Sequence, residues 1–281
     1  MRPRIGGMAF GNGVLMRSKS FWAWARSDGT VLDGRVGSLT DYSRLLRLPL
    51  LRSLVTLVEL LVFAVRLQFK NGLRANLRLL ACLALWILIS QWLGSLSNGV
   101  LGGGWLGELV AQLVILLLGL AALQCGMGAQ LWRFHGAEHK AVNAYEAGAD
   151  LGDAVQVSRY SRIHDRCGTN LVAILVALSL AYLPLAQLLP GSAFSFGYSL
   201  IAVTVAFELF RLVTRRPQAA ACRAVLFVGR TVQRLLTTRE PQAQQLEVAC
   251  RALSRVAAQE AVHEADALPT AWLGVEGFTK G

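Results

Sequence analysis

The chain has 281 residues, of which 54% are hydrophobic and only 16% charged, more apolar side chain than a soluble core of this length can use. That balance sets aside an ordinary soluble domain and points to a membrane protein. Twenty-eight Lys and Arg against 17 Asp and Glu give a formal charge of +11, and beside apolar spans the first use of such an excess is to hold loops on the cytoplasmic side. No specific nucleic-acid partner is expected.

Five cysteines, Cys82, Cys125, Cys167, Cys222 and Cys250, occur without a CxxC pair, so no disulfide framework is expected and reduced thiols on a cytoplasmic face fit better. The first ten residues lack the continuous apolar core of a cleavable signal, and the N-terminus is expected to be retained.

The N-terminal segment, 1–48, reads as cytoplasmic and β-rich. From Met8 to Val36 a weak alternation is broken by glycines, which predicts two or three short strands with Asp28-Gly29 as the hairpin turn. Pro49 then opens a helix over 49–69, within a segment 49–75. Its charges Arg52, Glu59 and Arg66 repeat every seven positions and share one face with Thr56. A membrane span would put Glu59 near mid-depth, so an interfacial amphipathic helix is the cheaper arrangement.

Residues 76–216 read as a four-span membrane domain, with candidate spans over 77–94, 105–131, 171–189 and 193–213, each near the ~20 residues a bilayer needs. The connections 95–104 and 190–192 contain no Lys or Arg, whereas the arm before the first span, the middle loop 132–170 and the tail are basic. All basic segments share one side when there are four spans and both termini are cytoplasmic. After Pro217, the region 217–281 predicts amphipathic helices over 219–236 and 242–259, parted by Arg239-Glu240-Pro241, with a frayed polar tail beyond Ala261. Their apolar faces are expected to pack on the membrane surface or on other cytoplasmic helices. The fold class is therefore mainly α: a polytopic membrane protein with about four transmembrane helices, amphipathic cytoplasmic helices and a small N-terminal β element.

The middle loop holds the candidate chemistry. In His135-Gly136-Ala137-Glu138-His139 the two imidazoles lie one helical turn apart on one stripe, with Glu138 beside them. This is the His-x-x-Glu-His order of one class of zinc peptidase, in which the histidines bind metal and the carboxylate activates water. His164 lies near the far end of the same loop, and both loop ends return to one membrane face, so it is the first candidate for a third ligand. Cys167, which would close a four-ligand site, and Asp165 and Glu146 are alternatives. Glu146 shares the stripe of His135 and His139 but stands ~10 Å along the axis from His139, which suits support of a ligand better than ligation. Against these stand the plainer readings: a His164 that binds backbone or phosphate, a packed Cys167 thiol, lipid-facing Lys140 and loop arginines, and a Glu208 that pairs with Arg211 rather than facing a metal cavity.

At these residues the chain resembles the YqhQ-like family of bacterial multispan membrane proteins, a domain of unknown function (DUF1385) often labelled a predicted metal-dependent enzyme. Four blocks carry the resemblance: Gly6-Gly7-Met8-Ala9 with Gly13-Val14-Leu15-Met16-Arg17, His135 to Lys140 with Asn143-Ala144-Tyr145-Glu146, Ser161 to Thr169, and Thr237-Thr238-Arg239-Glu240-Pro241 with Glu247-Val248-Ala249. Two departures stand out, Asn12 where the family tends to carry Glu and Asp165 where it usually carries Pro. The resemblance implies a multi-pass protein of the bacterial inner (plasma) membrane.

Two functions are expected. One is a membrane-embedded metal-dependent hydrolase opening at the cytoplasmic face, with a divalent ion, zinc first, on His135, His139 and His164 and with Glu138 as general base. The other is a non-catalytic scaffold or membrane-protein biogenesis factor, embedded in the lipid bilayer and using its basic cytoplasmic face to contact a protein partner such as ribosome or translocation machinery.

Overall fold

Four short strands open the chain: β1 (Gly6–Phe10), β2 (Gly13–Arg17), β3 (Phe21–Arg26) and β4 (Val31–Arg35), paired in sequence order as an antiparallel meander. The structure, a computed structural model, describes residues 2–36, 48–71, 105–126, 128–189 and 192–267, with isolated helical positions between 84 and 92. Its backbone contacts divide the chain into two units. Met1–Gly37, Gln130–Arg162 and Arg239–Gly281 form the first; Ser38–Ala129 and Ile163–Thr238 form the second.

The expected two or three strands are four. β1 and β4 carry glycine and aspartate in place of clean alternation, so they acquire strand character only by pairing with their neighbours. The turn at Asp28-Gly29 is where the sequence put it: Gly29 has φ +90°, and the Asp28 carboxylate accepts the Thr30 N–H at 2.9 Å, a conformation suited to glycine and a local Asx bond. The middle strands are buried on both faces. Val14, Met16, Ala23 and Ala25 enter one core with Phe134, Ala141, Leu253 and Val256, while on the opposite face the Trp24 ring meets Phe10 at 5.0 Å and the Arg26 guanidinium at 4.0 Å.

Three helices complete the first unit: α3 (Gly128–Ala147), the short α4 (Ala154–Ser158) and α8 (Ala243–Ala267). α8 runs past the expected end near Ala261 because the sheet holds its last turns. Ser20 N–H donates to the Glu260 carboxylate at 3.1 Å, Gln259 bonds Asp33, and the rings of Phe21 and His263 meet edge-on at 5.7 Å. Its apolar face therefore packs on protein, against β2 and β3. Residues 268–281 lie outside the described residues. Beside α3 runs the stretch Arg239-Glu240-Pro241, the predicted break between helices. The Arg239 N–H donates to the Trp132 carbonyl at 2.8 Å, and a Cβ on Gly136 would stand 2.1 Å from the Arg239 carbonyl oxygen.

The second unit contains α1 (Pro49–Asn71), α2 (Trp105–Gly126), α5 (Gly168–Leu188), α6 (Ser192–Arg215) and α7 (Ala220–Val232), the last running into a π-helical turn, Gln233–Thr237. Among the described residues two helical stretches are long and apolar enough to cross a membrane, Gly168–Leu185 and Phe194–Arg215, and Leu106–Gly119 is a shorter apolar stretch. The predicted span 105–131 is not one helix: α2 ends at Gly126, and α3 opens at Gly128, whose φ of +70° is incompatible with an uninterrupted helix. The predicted span 77–94 lies outside the described residues, isolated positions apart. The predicted polar face of α1 has a partner on α6: Arg52 and Ser53 donate to Glu208, Arg211 donates to Glu208 at 2.9 Å, and Arg211 also donates to Thr56 Oγ1 at 2.8 Å.

The close approach at Gly136 makes it the residue of α3 least able to accept a side chain. Gly136→Ala is expected to cost about 1 to 3 kcal/mol through overpacking, read as a lowered Tm in detergent. Gly11→Ala, whose Cβ meets nothing within 4 Å, should leave Tm within the error of the measurement.

Candidate functional site

Between positions 138 and 143, α3 carries four polar side chains; β1 claims Glu138, and carbonyls of the stretch 158–162 claim His139, Lys140 and Asn143. His139 is 2% exposed, and its Nδ1 lies 2.7 Å from the Arg162 carbonyl oxygen. A carbonyl can only accept, so Nδ1 carries the proton and the lone pair of the neutral ring sits on Nε2. His135, half-buried one turn earlier, brings its ring centroid to 4.4 Å from that of His139 with the planes tilted by 59°. Helical spacing thus delivers two imidazoles to one stripe, and the backbone carbonyl fixes the tautomer of one of them as metal-binding histidines require.

Glu138 turns to the N-terminal sheet. It is buried, its carboxyl accepts the Gly7 N–H, and desolvation pushes its pKa from the ordinary carboxyl range up to about 8. A Cβ on Gly7 would stand 2.8 Å from Glu138 Cγ, so glycine is what lets the strand reach the carboxyl. Lys140 is buried as well, its side chain 6% exposed. It donates to the Ser158 carbonyl at 2.6 Å and pairs with Glu240 at 2.6 Å, while Arg162 lies 3.6 Å from the same carboxylate. The lipid-facing role expected of Lys140 is therefore wrong: a buried ammonium needs acceptors, and Ser158 and Glu240 supply them. Asn143 Nδ2 donates to the Ser161 carbonyl at 2.7 Å.

The remaining candidates belong to the second unit, Glu146 excepted, which stands exposed in the last turn of α3. His164 is held through its backbone: its N–H donates to Gln233 Oε1 at 3.0 Å, and its carbonyl accepts from Gln233 Nε2 at 3.1 Å. Its ring Nδ1 accepts the Arg166 N–H at 3.3 Å, and burial lowers its pKa, favouring the neutral imidazole. Asp165 forms a two-point ion pair with Arg230 at 2.7 Å for each contact. The buried Cys167 caps the N-terminus of α5, its sulfur accepting the Thr169 N–H at 3.4 Å. Glu208 sits in the α1–α6 cluster with Arg52 and Arg211.

The orienting groups escaped the sequence reading. The Arg162 and Ser158 carbonyls leave no trace in side-chain identity, and the contact of Gly7 with Glu138 spans 131 positions. Only the polar residues from Glu138 to Asn143, set among alanine and valine, signal that partners must exist.

A family model described as a protein of unknown function (DUF1385) matches residues 71–259. The uncharacterized protein YqhQ of Bacillus subtilis (strain 168) is 27% identical over 144 residues, covering 50% of this chain and 45% of that protein, so the match spans about half the length of this curated relative. No solved structure matches the chain.

Glu138 makes a pH prediction. Because its folded pKa lies above the ordinary value of 4.5, the folded chain keeps a proton that the unfolded chain has released. This contribution to stability is complete below pH 4.5 and is lost as pH rises through about 8. In chelator-treated protein, Tm should fall between pH 6 and pH 9 in the wild type, whereas Glu138→Gln, which retains an acceptor for Gly7 without the titration, should show a flatter profile.

Proposed function

This chain belongs to the DUF1385 family, and from its own residues we propose that it is a membrane-embedded, metal-dependent hydrolase of the bacterial inner membrane. Four spans, with both termini and the His135 site on the cytoplasmic side, complete the proposal. Two helices long and apolar enough to cross a bilayer and the one-sided distribution of basic segments support that topology.

The observation that carries the metal assignment is the pair of imidazoles 4.4 Å apart, one with Nδ1 on the Arg162 carbonyl. That donor set fits a borderline-soft divalent ion, zinc first. His135 and His139 supply two donors, and the sequence offers candidates for a third in the segment 163–167. There His164 was the first candidate. The bond that its Nδ1 accepts from Arg166 leaves the proton on Nε2, so the Cys167 sulfur, already accepting an amide N–H at a helix start, is the better suited of the two. A bound zinc would supply a polarised water for hydrolysis. Glu138, one residue from His139, is the carboxyl placed to act as general base, and Gly7 fixes its orientation.

The burial of Glu138 against Gly7 favours a second reading, in which the histidines form a structural clasp. The protein is then a membrane scaffold or biogenesis factor whose basic cytoplasmic face meets a protein partner, ribosome or translocation machinery among the candidates.

Metal analysis of detergent-purified protein tests the shared premise. About one zinc per chain is expected in the wild type and far less in His135→Ala and His139→Ala; equal metal in all three overturns the metal assignment under both readings. Glu138→Gln then separates the two, since it should retain the metal in either case but abolish turnover only in an enzyme.

A further inference from the structure

One helix of the second unit presents two faces with different tasks. α7 begins five residues after the last residue of the apolar stretch Phe194–Arg215, so chain connectivity keeps its start near the point where α6 would leave a bilayer. Its inner face is committed to protein. Cys222 and Leu226 pack with Val213 of α6, Gly229 lies so close to Asn170 of α5 that a Cβ would stand 1.6 Å from its Oδ1, and Gln233 holds both backbone groups of His164.

The outer face is apolar and open. Phe227 is 71% exposed, Val228 51% and Leu235 72%. Ala224, Phe227 and Val228 follow the spacing of a single helical stripe, Leu235 adds an apolar side chain from the π-helical turn that follows, and Arg223 and Arg234 are exposed beside them. Large apolar side chains at such exposure mark a surface that another phase or partner covers. An apolar strip with arginines beside it, joined by a few residues to a candidate membrane span, matches an anionic bilayer surface in both hydrophobicity and charge.

We propose that α7 docks on the anionic lipid surface beside α6, with Phe227, Val228 and Leu235 entering the interface and Arg223 and Arg234 meeting headgroup phosphates. Because Arg230 of the same helix pairs with Asp165, and Gln233 of the π-helical turn that follows holds the backbone of His164, lipid docking also steadies the loop 163–167. The inference concerns a surface outside the His135–His139 pair and stands whether or not that pair binds metal.

Hydrogen–deuterium exchange of the full chain in nanodiscs tests it. Peptides covering 220–237 should exchange at least about fivefold more slowly in discs containing phosphatidylglycerol than in phosphatidylcholine alone, the effect expected of each arginine at a charged leaflet. The double variant Arg223→Gln/Arg234→Gln should lose that difference while peptides of β2 and β3 stay unchanged. Inorganic phosphate added to phosphatidylcholine discs should not reproduce it. Equal exchange in the two lipids overturns the proposal, as does a difference that survives in the double variant or protection produced by phosphate alone.

Discussion

The first unit depends on one constraint: the polar side chains buried along α3 must each find a partner, because an unpaired charge or amide in that environment costs more than any single apolar contact returns. The partners come from three separate stretches: β1, the segment 158–162 and the segment around Glu240. Gly7 of β1 meets Glu138, the Arg162 carbonyl meets His139, the Ser158 carbonyl and Glu240 meet Lys140, and the Ser161 carbonyl meets Asn143. Hydrophobic burial brings the N-terminal sheet and α8 together with α3, but that force is non-directional. The polar pairs add direction, setting which residue of each stretch lies beside which residue of the helix. Gly7 and Gly136 are the two positions where a strand and the Arg239–Pro241 stretch approach too closely for a side chain.

The second unit obeys the same rule. Glu208 gathers Arg52, Ser53 and Arg211, and Arg211 reaches on to Thr56, so the polar face of α1 and the polar end of α6 satisfy one another. The side chain of Gln233 serves the backbone of His164 as a neighbouring strand would. That placement gives the π-helical turn a reason to exist, since π turns commonly mark positions where a side chain is displaced for a specific contact.

Much of this organisation was legible in the sequence, and the boundary between the legible and the hidden follows contact range. The Asp28-Gly29 turn, the break at Arg239-Glu240-Pro241, the shared face of Arg52 and Thr56, and the one-turn spacing of His135 and His139 are local patterns, and each has its structural counterpart. Strands β1 and β4 were obscured because Gly6, Gly7, Asp33 and Gly34 have poor strand propensity, which pairing overrides. The extension of α8 to Ala267 depends on Ser20, Asp33 and Phe21, more than 220 positions away. Lys140 was misread because a lone lysine near a membrane segment is usually solvated, and nothing local reveals that Glu240 and Ser158 enclose it.

The central claim is that α3 presents its two imidazoles with the chemistry of metal donors, the Arg162 carbonyl holding the proton of His139 on Nδ1 and leaving the Nε2 lone pair for an ion. Long-range proton–nitrogen NMR correlations of the imidazoles in selectively labelled, metal-free protein report that tautomer directly. The account predicts Nδ1–H for His139 at neutral pH and, on titration with zinc, shifts at Nε2 of His139 and in the ring of His135. A His139 protonated on Nε2, or two rings that ignore zinc, would contradict it.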